Sequence, residues 1–137
     1  MYFFFPDKGF FMNSNDYIKN ALKTESQNFD EIESRLKSKK MLRTLHAAMG
    51  VSTEAGELLD AVKKHVYYGK KLDEVNMLEE VGDLFWYLAI LADELGFDFK
   101  QAMEKNINKL QARYGEKFSE ERAITRNLSQ ERSTLEH

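Results

Sequence analysis

An all-α fold, a bundle of four to five helices, is what this sequence predicts, and three observations carry it. Apolar residues recur at helical spacing over long stretches, residues suited to N-caps stand before those stretches, and glycines follow several of them. A single proline and 31% charged residues in 137 positions suit helices. No segment has the alternation of a strand.

The first helix opens at Asn13-Ser14-Asn15-Asp16 and carries Tyr17, Ile18, Ala21 and Leu22 on one side. Residues 25–37 place Phe29, Ile32 and Leu36 at helical spacing, in a polar segment that could contain a bend. Ser38 then caps a long helix reaching Tyr67, with Leu42, Leu45, Met49, Ser52, Ala55, Leu59, Val62 and Val66 as its mainly apolar stripe. Gly50 and Gly56 lie inside it, each costing about 1 kcal/mol relative to alanine. Close helix packing would justify them, as would backbone room beside a bound ion. A third glycine, Gly82, favours the ion.

After a break at Tyr68-Gly69-Lys70, Asp73 caps the next helix and Gly96 ends it. Its second half, Leu84 to Leu91, is apolar on every side. That predicts an oligomer interface rather than the centre of a monomeric bundle. Asp98, with Gln101 at the capping-box position, opens a helix whose apolar face is Phe99, Met103, Ile107, Leu110 and Tyr114. Gly115 stops it, and Ser119 opens a short last helix. The organisation is thus an aromatic arm at 1–12, one domain at 13–127, and a C-terminal tail at 128–137. The tail is expected to be loosely held, or to strap across a partner subunit.

The net charge of −3 offers no general attraction to nucleic acid or anionic membranes. The absence of cysteine excludes disulfides, thiol nucleophiles and zinc–cysteine sites, and fits a cytoplasmic location. No apolar run is long enough to span a membrane. The N-terminus lacks the basic start and cleavage site of a signal peptide.

The chemistry concentrates in two stretches that copy one another. Glu54-Ala55-Gly56-Glu57-Leu58 and Glu80-Val81-Gly82-Asp83-Leu84 share the pattern Glu-x-Gly-acid-Leu, 26 residues apart. Residues three apart share a helix face, so each stretch presents a pair of carboxylates. The pairs are symmetric about the break at Tyr68-Gly69-Lys70. Folded there into an antiparallel hairpin, each pair lies about 17 to 22 Å from the turn, at about 1.5 Å per residue. Four carboxylates brought together repel and call for a cation. Oxygen ligands suit a hard divalent ion, Mg²⁺ with Mn²⁺ as a substitute. A di-iron bundle would supply Glu-x-x-His motifs, and neither His46 nor His65 has a glutamate three positions earlier.

With Mg²⁺, the substrate class is a polyphosphate, and hydrolysis needs positive charge for its oxygens. Lys109 and Arg113 are the candidates; with Asn106 they form a polar line at i, i+3, i+7. Lys64 is a weaker one, seven residues beyond Glu57. His46, eleven residues before Glu57, could contact a base or sugar, although a hydrogen-bonded core histidine is the plainer reading. Trp86 and Tyr87 are better explained by packing than by stacking on a base. Glu79 is as readily a surface residue as a ligand.

The signature Glu54-x-x-Glu57, a 22-residue spacer, then Glu80-x-x-Asp83 resembles that of the MazG-like all-α nucleoside triphosphate pyrophosphohydrolases. The likeness extends through His46-Ala47-Ala48-Met49-Gly50, Lys63-Lys64-His65, Tyr68-Gly69-Lys70 and the segment Asn106 to Tyr114. It covers residues 15 to 127, and is nearest to small, single-domain, often phage-borne members. It implies a homo-oligomer, dimer or tetramer, that hydrolyses a nucleoside triphosphate to the monophosphate and pyrophosphate. By similarity, Glu54, Glu57, Glu80 and Asp83 hold Mg²⁺, Lys109 and Arg113 contact phosphates, and Asn106 assists. A water activated by the metal attacks the α-phosphorus. Gly115 stands where many relatives have proline. A hydrolase specific for phosphoribosyl-ATP, dUTP or dCTP belongs to the same fold. A non-catalytic helical interaction module with solvated acids is the alternative from a different class.

Overall fold

The computed structural model describes residues 13–136, so the aromatic arm expected at 1–12 lies outside the described residues. The all-α expectation holds, with no strand among the described residues. The chain divides into two units between Lys37 and Ser38.

In the first unit, α1 spans Ser14–Ala21, followed by a 3₁₀ turn at Leu22–Thr24 and α2 at Phe29–Leu36. Asn13 caps α1, its side-chain oxygen accepting the Asp16 N–H at 2.9 Å.

The second unit begins with a helical hairpin. Helix α3 runs Lys39–Tyr68, capped by Ser38 Oγ accepting from the Met41 N–H at 3.1 Å. It ends at Gly69, whose φ of 64° is the left-handed C-cap conformation that costs glycine nothing. Helix α4, Glu74–Leu95, starts at Asp73, which caps Asn76, and ends in the same way at Gly96. The two helices pair along their length.

The apolar positions most buried on these two helices are small. Ala47 and Gly50 of α3 and Ala92 of α4 are buried. A Cβ on Gly50 would lie 2.1 Å from Tyr87 Cε1, so this glycine is required by close packing and not by a bound ion. A Cβ added at Gly56 or Gly82 would meet no other side chain and no backbone of another element within 4 Å among the described residues. At the open end of the hairpin, Arg43 of α3 donates to Asp93 at 2.6 Å and to Glu94 at 2.5 Å.

The apolar stripe read along α3 does not face α4. Leu42, Leu45, Met49, Leu59, Val62 and Val66 are all exposed, as are Phe85 and Trp86 on α4. Each large aliphatic side chain left in water forgoes about 1.5 to 3 kcal/mol of burial. The buried side of α3 is the one that carries Ala47 and Gly50, with Tyr87 of α4 packed on Gly50.

Helix α5, Phe99–Tyr114, is capped by Asp98, which accepts the Gln101 N–H at 2.6 Å. Its first turn meets α4 through the Phe85 and Phe99 rings, 6.3 Å apart. After α6, Glu120–Ile124, the final residues depart from the loose tail expected of them. Leu128–Glu136 form α7, packed against α5. The reason is electrostatic: Glu131 is clamped by Arg113 of α5 and by Arg126 just ahead of α7.

Candidate metal centre

Helical geometry and the hairpin together bring the acids into one place. Glu54 and Glu57 sit one turn apart on α3, and Glu80 faces them from α4. One carboxylate oxygen from each can be chosen so that all three lie within 4.8 Å of one another. Their environments differ: Glu80 is only 5% exposed, Glu54 is half-buried and Glu57 is open to solvent. Asp83, one turn beyond Glu80, is exposed and is not part of this set.

Two neighbours hold the acids. Asn76, one turn before Glu80, donates from Nδ2 to Glu80 Oε1 at 2.7 Å. The single Thr53 hydroxyl proton lies between the Gly50 carbonyl, 2.9 Å from Oγ1, and Glu54 Oε1 at 3.3 Å. Partial burial, and then the neighbouring Glu80 carboxyl, push Glu54 above its ordinary value. Three oxygen donors from two helices, one of them buried and oriented by an amide, fit a hard divalent ion.

The remaining candidates are distributed around the molecule. His46 packs edge-on to the Tyr87 ring at 5.6 Å and to Trp86 at 6.4 Å, placing an imidazole and two aromatics on one side of the hairpin. Lys64 is engaged on its own helix, 2.6 Å from Asp60. The lysines at 63 and 64 hold the Asp60 carboxyl at about 2. Asn106 borders an apolar groove of about 540 Å³ lined by Phe85, Leu88, Phe99 and Met103. Lys109 is half-buried on α5. Arg113 is bound to Glu131 through two hydrogen bonds, Nε to Oε1 at 2.8 Å and Nη2 to Oε2 at 2.5 Å.

Sequence reasoning missed three of these partners. Asn76 was findable, because it precedes Glu80 by four positions and so shares its helix face. Asp60, four before Lys64, was findable on the same rule. Glu131 was not, since its pairing with Arg113 depends on how the last helix folds back.

The family model of the MazG nucleotide pyrophosphohydrolase domain matches residues 43–118. A protein of Mycobacterium phage L5, described as the Gene 37 protein, is 35% identical over 74 residues. That match covers 50% of this chain and 63% of the phage protein, less than two thirds of the relative's length. No solved structure gives a significant match. This chain belongs to the MazG nucleotide pyrophosphohydrolase family.

Proposed function

We propose that this chain hydrolyses a canonical or modified (deoxy)nucleoside triphosphate to the monophosphate and pyrophosphate, for pool control or housecleaning. It does so with Mg²⁺, as a cytoplasmic homo-oligomer. The observation that carries the reading is the convergence of Glu54, Glu57 and Glu80 from two helices onto one point. Membership of a pyrophosphohydrolase family supports it independently. The exposed apolar stripe of α3 and the exposed Phe85 and Trp86 support the oligomer, because a monomer seldom leaves so much apolar surface in water.

In this reading Glu54, Glu57 and Glu80 hold the ion, and Asp83 joins them from the next turn of α4. When bound, Mg²⁺ neutralises charge on the phosphate oxygens and acidifies a coordinated water. The chain's own groups do the rest. Asn76 keeps the Glu80 carboxylate turned towards its partners. Lys109 and Arg113 supply positive charge for the phosphates, and His46 beside Trp86 and Tyr87 offers a surface for the base or sugar. Water adds to the α-phosphorus, the bond to the bridging oxygen of the β-phosphate breaks, and pyrophosphate leaves.

The test is a panel of nucleoside triphosphates with Mg²⁺, read for both products. Monophosphate and pyrophosphate are expected in equal amounts. Glu57→Gln is expected to keep its helical spectrum and to lose at least about a hundredfold in turnover, the upper range for disturbing a metal's ligand shell. Release of orthophosphate in place of pyrophosphate, or full activity in that variant, sinks the proposal.

A further inference from the structure

Helix α7 is held in an unusual way. It has nine residues, too few to be stable alone, and its only buried side chain is a carboxylate, Glu131. Leu128 is exposed, so no large hydrophobe anchors its start. Leu135 near its end is half-buried, and its one buried carboxylate is fastened by charge. Arg113 grips Glu131 in the bidentate manner, and Arg126 Nη2 reaches the same Oε2 at 2.7 Å. Lys105 Nζ adds one bond to the Leu135 carbonyl at 2.6 Å.

The carboxylate also lines a polar cavity of about 290 Å³, with Arg113, Arg122, Thr125, Asn127 and Gln130. Arg122 spends one N–H on the Tyr114 carbonyl, at 2.7 Å. Two guanidinium groups therefore bind one carboxylate, and a third, that of Arg122, stands on the wall of the same cavity. Two planar forks converging on two oxygens is the geometry that arginine also offers to phosphate.

We propose that Glu131 is a displaceable internal ligand, its carboxylate occupying an oxyanion site on Arg113 and Arg126 that a phosphate group of a nucleotide or of pyrophosphate takes in its place. Binding of the phosphate releases α7, and α7 in turn weakens binding. The proposal extends the hydrolase reading, since that reading supplies the polyphosphate, but it is tested without turnover.

The probe is inorganic pyrophosphate in the presence of a chelator, which removes the acidic cluster from the experiment. In the unaltered protein, amides of residues 128–136 are expected to exchange faster as pyrophosphate saturates, with sodium chloride of equal ionic strength failing to reproduce the effect. By calorimetry, Glu131→Gln is expected to bind pyrophosphate about tenfold more tightly, about 1.4 kcal/mol. Adding Arg113→Ala to that variant is expected to abolish the gain. Unchanged or slower exchange in α7, no binding by either form, or equal affinity of the two overturns the proposal. A protein that binds pyrophosphate in this way and hydrolyses nothing refutes the hydrolase reading alone. One that hydrolyses nucleotides while α7 stays closed refutes this proposal alone.

Discussion

Asn76 and Glu80 stand one turn apart on α4, joined by a 2.7 Å hydrogen bond from the amide to the most buried carboxylate of the cluster. The amide fixes which way Glu80 points, and the Asp73 cap in turn holds the Asn76 backbone at 3.0 Å. A ligand oriented from behind in this way loses affinity when its support is cut. Asn76→Ala is expected to weaken Mg²⁺ or Mn²⁺ binding by about 10- to 100-fold while leaving the helix intact. Titration calorimetry with the metal alone measures it, and an unaltered affinity would remove Glu80 from the ligand set.

Gly50 and Gly56 share a helix and have opposite reasons to be glycine. A methyl at Gly50 collides with Tyr87, which is ring and not a flexible tip, so Gly50→Ala is expected to destabilise by about 1 to 3 kcal/mol. Gly56 has open space, and Gly56→Ala is expected to gain up to about 1 kcal/mol of helix stability. Urea unfolding of both variants provides the comparison. A loss at Gly56 would mean that something beyond the described residues packs there.

Acid should loosen α7. Arg113 and then Arg126 hold the Glu131 carboxyl down at about 2, well below the 4.5 of a free glutamate. A carboxyl whose value is depressed by folding stabilises the fold above its ordinary value, and that contribution disappears as pH falls towards the folded one. The gap in unfolding midpoint between the unaltered chain and Glu131→Gln is therefore expected to be full near neutral pH. It should close as pH falls from 4.5 towards about 2. A gap independent of pH would show that the ion pair is not what holds the helix.

Leu59 tests the oligomer. At 69% exposed it contributes little to a single chain, so Leu59→Glu in a monomer would be within about 0.5 kcal/mol of neutral. The expectation is different: the unaltered protein should scatter light as a particle heavier than 16.0 kDa, and Leu59→Glu should shift it towards that monomer mass. Equal masses at 16.0 kDa for both would exclude self-association through this stripe.

The parts legible in the sequence were those governed by local rules. Ser38, Asp73 and Asp98 cap the helices they were expected to cap, and Gly69, Gly96 and Gly115 follow the ends of α3, α4 and α5. The meeting of Glu54, Glu57 and Glu80 was legible because both helices are regular and the turn between them is short. Three features were not. Periodicity located an apolar stripe on α3 but could not say that α4 would use the Ala47–Gly50 line instead. It could not place Asp83 outside the trio, because side-chain exposure depends on how far α4 is rotated about its axis. Nor could it see α7, whose polar sequence has a weak apolar face and whose buried Glu131 pairs with Arg113, 18 residues away, as well as with nearby Arg126.

Arg43 closes the hairpin at the end opposite Gly69, so the two long helices form a frame joined by peptide at one corner and by guanidinium at the other. Sliding or screwing one helix past the other would stretch the Arg43 ion pairs or the turn at Gly69. The spacing of the three carboxylates thus depends also on fastenings that never touch them. Loss of Arg43 is therefore expected to disturb the register of the acidic cluster from several turns away.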